Sequence, residues 1–174
     1  ILIAIMLLSN VFNIFLTNND ELINFLNTYK MANGLTIYKD TNVIITPLFF
    51  YIGKIFLGIL GSNFLVYRVY NLILMTILYV LCYKILKTLK MTKQASLVYT
   101  LVIMLFTSEI AQAGANYNVL AYIFFELGLL FNLKNEENRH KNIFQGIILF
   151  LVFISNQKLA AGYLLAMIFC QIYN

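Results

Sequence analysis

The sequence is short of charged residues, proline and histidine, and it contains no tryptophan. Charged residues make up 11% of its 174 residues, whereas soluble domains carry about 25%. The two cysteines, Cys82 and Cys170, lie inside apolar runs, where a thiol behaves as a small hydrophobe. The one histidine, His140, has no second His, Cys or Asp at ligand spacing. These shortages argue against an ordinary soluble domain, a disulfide scaffold and a zinc site.

What the chain does contain is apolar sequence along its whole length. Hydrophobic residues make up 61% of it, and the mean hydropathy is +0.83. This composition predicts an integral membrane protein with several crossings, and therefore an all-α fold, a polytopic bundle of transmembrane helices. The chain starts at Ile1 and stops at Asn174 just after an apolar run. We therefore expect it to be the N-terminal part of a longer protein.

Six apolar segments are the predicted membrane spans. The segment 95–133 is too long for one crossing, and the polar and small residues at 113–118 supply its break. The predicted spans are residues 1–16, 64–86, 95–111, 117–133, 143–154 and 160–172.

Lysines in the short loops predict the orientation. One loop contains four lysines and no acidic residue: Lys84, Lys87, Lys90 and Lys93. Loops rich in Lys and Arg usually lie in the cytoplasm, so this loop should be cytoplasmic. The loop 134–141, two spans later, should lie on the same side, and residues 17–63, 109–118 and 155–158 should then lie outside. The net charge of +5 comes mainly from such loops, so it gives no reason to expect nucleic-acid binding.

The long outer loop, residues 17–63, is predicted to fold as two amphipathic or interfacial helices. Asp20 and Glu21 fall in the first turn of one helix, where carboxylates suit the helix dipole, and Gly34 closes it. Thr46 and Pro47 predict the N-cap and first residue of a second helix over 48–60.

The second of these helices decides the topology. It is short and carries Lys54 near its middle, so it is expected to lie along the membrane interface. If it crossed the membrane instead, the Asp20 loop and the lysine-rich loop would share a side.

An ordered set of residues in this outer loop resembles a known enzyme superfamily. It comprises Asp20-Glu21, Tyr29-x-Met31-Ala32-x-Gly34-x-x-x-Tyr38-Lys39-Asp40, Pro47-Leu48, Tyr51, Gly61, Asn63 and Arg68. On these residues the chain is similar to the GT-C glycosyltransferases, and more narrowly to the protein O-mannosyltransferase and aminoarabinose-transferase branch. The ordered match runs from Asp20 to about Asn71. Beyond it, only Ser155-Asn156-Gln157-Lys158 resembles a family feature, a polar outer turn with a basic residue.

The resemblance implies an inverting transfer of a sugar from a polyprenyl-phosphate donor to an acceptor hydroxyl on a lipid, glycan or protein. The active site would face the outside of the plasma membrane. Asp20 matches the family's general base, which takes the proton of the attacking hydroxyl. Glu21, Asp40, Arg68 and Lys158 are the implied substrate-binding residues; the two cations would serve the phosphate, and Glu21 would hold Arg68. The resemblance requires neither a metal nor a cofactor.

Other interpretations stay open. A transporter or flippase-like carrier would have the same hydropathy, although such proteins commonly show internal repeats and broken helices; a structural membrane subunit is a third alternative. Asp20 could be an ordinary acidic residue of a helix N-terminus, Asp40 a structural turn residue, and Arg68 a side chain that reaches the headgroups. Glu126, near the middle of a predicted span, and Glu109, at the end of another, are further acidic candidates.

Overall fold

The structure is a computed structural model that describes residues 19–41, 43, 45–106, 117–134 and 141–173, with the backbone alone for 141 and 170–173. Within these ranges the chain forms helices and no strand, so the all-α prediction is confirmed for them. The predicted span 1–16, Glu109 and His140 lie outside the described residues. The helices are α1 Asn19–Ala32, α2 Leu48–Leu60, α3 Phe64–Thr88, α4 Lys93–Phe106, α5 Tyr117–Leu133, α6 Lys141–Ser155 and α7 Gln157–Tyr173.

Local sequence signals explain several helix boundaries. Gly34 follows the end of α1 with a φ of 95°, a conformation that glycine adopts without steric cost. The Asn63 side chain caps α3, since its Oδ1 accepts a hydrogen bond from the Val66 N–H at 2.9 Å. Both boundaries agree with the sequence analysis.

The predicted cap of α2 is wrong. Pro47 occupies the N-cap position and makes no side-chain cap hydrogen bond. The Thr46 hydroxyl instead donates to the Ser155 carbonyl at the end of α6. The last carbonyls of a helix have no partner within it, so they are ready acceptors for a hydroxyl from another segment. Thr46 therefore joins two distant loops rather than starting its own helix.

The helices pack around α3 and α5. α3 lies against α5 along much of its length and against α4, while α6 and α7 pack on the other side of α5. α1 and α2 pack on each other and cover the first turns of α3. One buried apolar cluster fills the space among α1, α2, α3 and α5, and a smaller one joins α5, α6 and α7.

α2 crosses α3 rather than running beside it. The rings of Phe49 and Phe56 lie 5.4 and 5.2 Å from that of Tyr70, centroid to centroid. The Tyr70 hydroxyl donates to the Phe49 carbonyl at 3.1 Å. Between these two phenylalanines, a Cβ on Gly53 would lie 3.3 Å from Tyr70 Cε1 and 2.7 Å from Thr28 Cγ2. Successive turns of α2 thus meet one side chain of α3, and glycine allows the close approach.

One described helix, α3, is long and apolar enough to cross a membrane, with 25 residues. The other apolar helices of the described ranges, α2 and α4 to α7, have between 13 and 17 residues. By length and composition the described chain therefore contains one candidate membrane crossing.

Every described helix exposes large apolar side chains. Ile59 on α2 is 75% exposed and Phe106 on α4 is 86% exposed. On α6 and α7 the exposed set includes Phe150 and Phe169. Monomeric soluble proteins rarely leave extended apolar surface in water, so such surface marks a membrane or a partner.

α1 turns its polar side inward. Glu21, Asn24 and Thr28 are buried, and their spacing of three and four residues puts them on one face. Ile23 and Leu26 are 51% and 41% exposed. An apolar outer face and a polar inner face are the reverse of a helix on the surface of a soluble protein.

Candidate functional site

Glu21 and Arg68 form a buried, two-pronged ion pair between α1 and α3. Arg68 Nε donates to Glu21 Oε1 at 2.9 Å, and Arg68 Nη2 donates to Oε2 at 3.2 Å. The Arg68 and Glu21 side chains are 7% and 4% exposed. The guanidinium also lies over the Phe64 ring, 4.5 Å from its centroid. The contact that the sequence analysis expected is present, and we call it the α1–α3 clamp.

Further polar side chains surround the clamp. Thr28 is fully buried and its hydroxyl donates to the Asn24 carbonyl at 2.7 Å. On α3, Tyr67 and Asn71 are buried neighbours, and among the described residues no hydrogen bond from another helix reaches the Tyr67 hydroxyl or the Asn71 amide. Buried polar groups are normally hydrogen-bonded. This interface is therefore not an ordinary apolar core.

Asp20 lies next to the clamp in the first turn of α1, and it is exposed. Consecutive helical residues point about 100° apart, so Asp20 cannot share the inward direction of Glu21. An acidic side chain in the first turn suits the helix dipole. Because its neighbour is fixed to α3, Asp20 lies on an anchored stretch of backbone, and an exposed carboxylate can accept a proton from a hydroxyl.

Asp40 closes its own turn. Its Oδ2 accepts from the Thr36 N–H at 2.7 Å, while its N–H donates to the Thr36 carbonyl at 2.9 Å. Within this turn Tyr38 has a φ of 68°, and its hydroxyl donates to the Ile45 carbonyl at 2.7 Å. Partial desolvation raises the pKa of Tyr38, and the nearby Tyr51 adds to the rise. These contacts favour the structural alternative for Asp40.

Lys158 lines a polar cleft of about 500 Å³. The full lining is Ile45, Thr46, Tyr117, Asn118, Asn156, Gln157 and Lys158. Amide, hydroxyl and phenol groups next to one ammonium are suited to a polar, negatively charged ligand such as a phosphosugar.

The cleft is held together by the turn between α6 and α7. The Asn156 Nδ2 donates to Asn118 Oδ1 on α5. The Asn156 Oδ1 accepts from the N–H groups of Lys158 and Leu159 at 2.9 and 3.2 Å, so it caps α7. The predicted outer turn 155–158 is shorter than expected, because Asn156 alone separates the two helices.

Three predicted outer segments meet at one end of the bundle. The Thr46–Ser155 and Asn118–Asn156 hydrogen bonds join the first loop, the start of α5 and the α6–α7 turn. Lys87, in the last turn of α3, follows Arg68 by 19 residues, which is about 28 Å of helix at 1.5 Å per residue. This length is close to the thickness of a bilayer core, about 30 Å.

The predicted site residues therefore occupy three places. Glu21 and Arg68 contact each other beside Asp20, Asp40 lies in its own turn, and Lys158 lines the cleft. None of the other four predicted residues lines that cleft in the part of the chain that the structure describes. The sequence analysis did not single out Asn118 as a cleft residue; its position at the edge of a predicted outer turn was the only available signal.

Within the described ranges, no three His, Cys, Asp or Glu side chains are grouped closely enough to hold a metal ion. No protein-family model, curated protein sequence or solved structure matches this chain. Any assignment of family or activity therefore rests on the residues themselves.

Proposed function

We propose that the chain is the N-terminal part of a polytopic membrane glycosyltransferase of the GT-C type. It would move a sugar from a polyprenyl-phosphate donor to an acceptor hydroxyl on the outer face of the plasma membrane. The observation that carries the proposal is the α1–α3 clamp, because it joins two residues of the resemblance that are 47 positions apart. Residues that meet in space with matched charge are stronger support than residues in order along a sequence.

The membrane part of the proposal is supported by the apolar outer faces. α3 has the length of a crossing, and the shorter helices α4 to α7 expose apolar side chains. Helices of this length cross a bilayer when neighbouring residues complete them or the bilayer thins locally. The crossing of α2 over α3 supports an interfacial position for α2, as the topology requires.

The chemistry would need a base, an anchored backbone and a cation for the phosphate. In the proposed reaction the acceptor oxygen attacks the anomeric carbon, and the bond from that carbon to the phosphate oxygen breaks with inversion. The acceptor proton passes to Asp20, and the polyprenyl phosphate leaves with the negative charge. A positioned base typically contributes about 10²–10⁴-fold to such a step.

The two implied cations would have different tasks. Arg68 is buried and already bound through two hydrogen bonds to Glu21, so its geometry favours positioning α1 over binding phosphate. Lys158 is exposed in a cleft with neutral polar groups, and its ammonium is accessible to a phosphate. We therefore assign the leaving phosphate to Lys158.

The central test is Asp20→Asn in the full-length protein, assayed by sugar transfer in membranes. We expect loss of at least about 100-fold in kcat with unchanged insertion, because the amide cannot accept the proton. The matched control is Glu136→Gln, an acid-to-amide change in the predicted cytoplasmic loop, which should transfer normally. Near-normal transfer by Asp20→Asn removes the catalytic assignment.

A second test addresses the topology. Single cysteines at Lys39 and Lys90, both exposed, are introduced into a background with Cys82 and Cys170 replaced. A membrane-impermeant thiol reagent added to intact cells should label position 39 and not position 90. Equal labelling of both positions would remove the outer assignment of the first loop, and with it the transferase proposal. Labelling as expected without transfer activity would leave a carrier as the better function.

A further inference from the structure

A second pocket lies between α3, α4 and α5, separate from the clamp and from the Lys158 cleft. Its volume is about 290 Å³, and its lining is Met75, Leu78, Tyr79, Cys82, Ile103, Tyr122 and Glu126. Along α3 the lining begins seven residues after Arg68, about 10 Å deeper into the bundle. The pocket therefore belongs to the apolar middle of the bundle rather than to its polar end.

Glu126 is the one charged residue in the lining of this pocket. Its Oε2 is fully buried and has no hydrogen-bond partner among the described residues. The other lining side chains are neutral: two are aliphatic, two contain sulfur and two are tyrosines. A buried carboxylate oxygen without a donor is costly, and an ionisable group within a membrane-type bundle is a functional-site hypothesis by default.

The pocket has an opening toward the outer surface of the bundle. Ile103 on α4 and Tyr122 on α5 are each 38% exposed and line the pocket at the same time. A ligand could therefore enter between these two helices from the surface that faces lipid in the proposed topology. The enclosed volume corresponds to about ten water-sized groups, which suits a medium-length alkyl chain.

We propose that this pocket binds a single-chain amphiphile with a protonated primary amine. The ammonium donates a hydrogen bond to Glu126 Oε2, and the alkyl chain fills the space beside Met75 and Leu78. Charge complementarity selects the amine, because Glu126 Oε2 has no donor among the described residues and no cation lines the pocket within the described chain. The apolar lining selects the alkyl chain. This binding does not depend on the transferase chemistry at Asp20.

The test uses Cys82 as a reporter inside the pocket. The full-length protein with Cys170→Ser is reconstituted in nanodiscs of zwitterionic lipid. The rate of alkylation of Cys82 by N-ethylmaleimide is then measured at increasing concentrations of decylamine or decanol. We expect decylamine to protect Cys82 at a concentration about tenfold lower than decanol, since a hydrogen bond to a charged group has that strength. Glu126→Gln should abolish the difference, and Glu136→Gln should keep it.

A second readout does not require Cys82 to react. A decylamine analogue with a diazirine in its chain is cross-linked in the same nanodiscs and its attachment sites are mapped by mass spectrometry. We expect labelling of Met75, Ile103 or Tyr122 that excess decylamine suppresses and that Glu126→Gln reduces. Equal protection by amine and alcohol in both variants, or cross-links spread over the exposed faces without competition, would overturn the proposal.

Discussion

The α1–α3 clamp permits a quantitative test of how the outer loop is held. Glu21→Ala removes the carboxylate whose two oxygens accept hydrogen bonds from the buried Arg68 guanidinium. Removing one partner of a buried ion pair costs about 3–5 kcal/mol. In a protein of about 150–250 residues each kcal/mol lowers Tm by about 2–4 °C. Glu21→Ala should therefore lower Tm by roughly 6–20 °C.

The double variant Glu21→Leu with Arg68→Met should recover most of that loss, because an apolar pair of similar volume often replaces a buried ion pair without a net cost. Lys84→Gln, which removes one exposed cation from the same helix, is the matched control and should change Tm little. Unfolding is followed in detergent by a thiol-reactive dye on Cys82, which is 8% exposed, with Cys170 replaced by Ser.

Two outcomes would refute this reasoning. If Glu21→Ala lowers Tm no more than Lys84→Gln does, the carboxylate and the guanidinium are not a buried pair. If the losses of the two single variants, Glu21→Leu and Arg68→Met, add up in the double variant, the residues stabilise the protein independently, because contacting residues should show a coupling energy.

Three shorter predictions test other parts of the fold through Tm. Gly128→Ala should cost about 1–3 kcal/mol by overpacking, since its Cβ would lie 1.9 Å from the Tyr163 hydroxyl; Tyr163→Phe should reduce this penalty, and an unchanged Tm would contradict the packing of α5 on α7. Asn63→Ala should cost about 1 kcal/mol through loss of the cap on Val66 N–H, and a neutral effect would contradict the cap. Glu126→Leu should raise stability by about 1–3 kcal/mol, because its buried Oε2 has no hydrogen-bond partner among the described residues; a lower Tm would show that this carboxyl stabilises the bundle.

Helix boundaries at α1, α2 and α3 could be predicted because their signals are local. Gly34 and Asn63 act through their own backbone or the next turn, and an interruption of the apolar pattern is visible in a short window. Thr46 was mispredicted for the opposite reason. Its acceptor, the Ser155 carbonyl, is 109 residues away, and nothing in the neighbouring sequence indicates that contact.

The inward face of α1 could not be predicted from hydropathy. The helical spacing of Leu22, Phe25, Leu26 and Tyr29 puts them on one apolar stripe, which could lie on the membrane or on the spans. The stripe is divided: Phe25 packs on the rings of Phe64 and Tyr67, whereas Leu26 and Tyr29 are exposed. In a membrane protein lipid is as apolar as a core, so an apolar stripe does not say which side faces inward.

The candidate site shows the same division between local and distant information. Glu21 was expected to hold Arg68, because a carboxylate and a guanidinium stood at matching places in an ordered resemblance, and the pair is present. Nothing in the sequence predicted the Asn118–Asn156 hydrogen bond beside Lys158. Amides are common in turns, and which of them meet depends on how α5, α6 and α7 pack.

In the proposed transferase, α1 would contact a substrate that has two kinds of surface. A lipid-linked sugar has an apolar chain and a charged head, and a site for it needs apolar and polar surfaces side by side. α1 offers exposed Ile23 and Leu26 as apolar surface and exposed Asp20 as a polar group in its first turn, while the buried Glu21 clamp holds the helix in place. On a soluble enzyme such an outward apolar face would be a liability. A donor that approaches along the membrane would contact this apolar face. Substituting Ile23 and Leu26 with Ser should therefore raise KM for the lipid-linked donor and leave KM for a water-soluble acceptor unchanged. Equal effects on both KM values would contradict this role for α1.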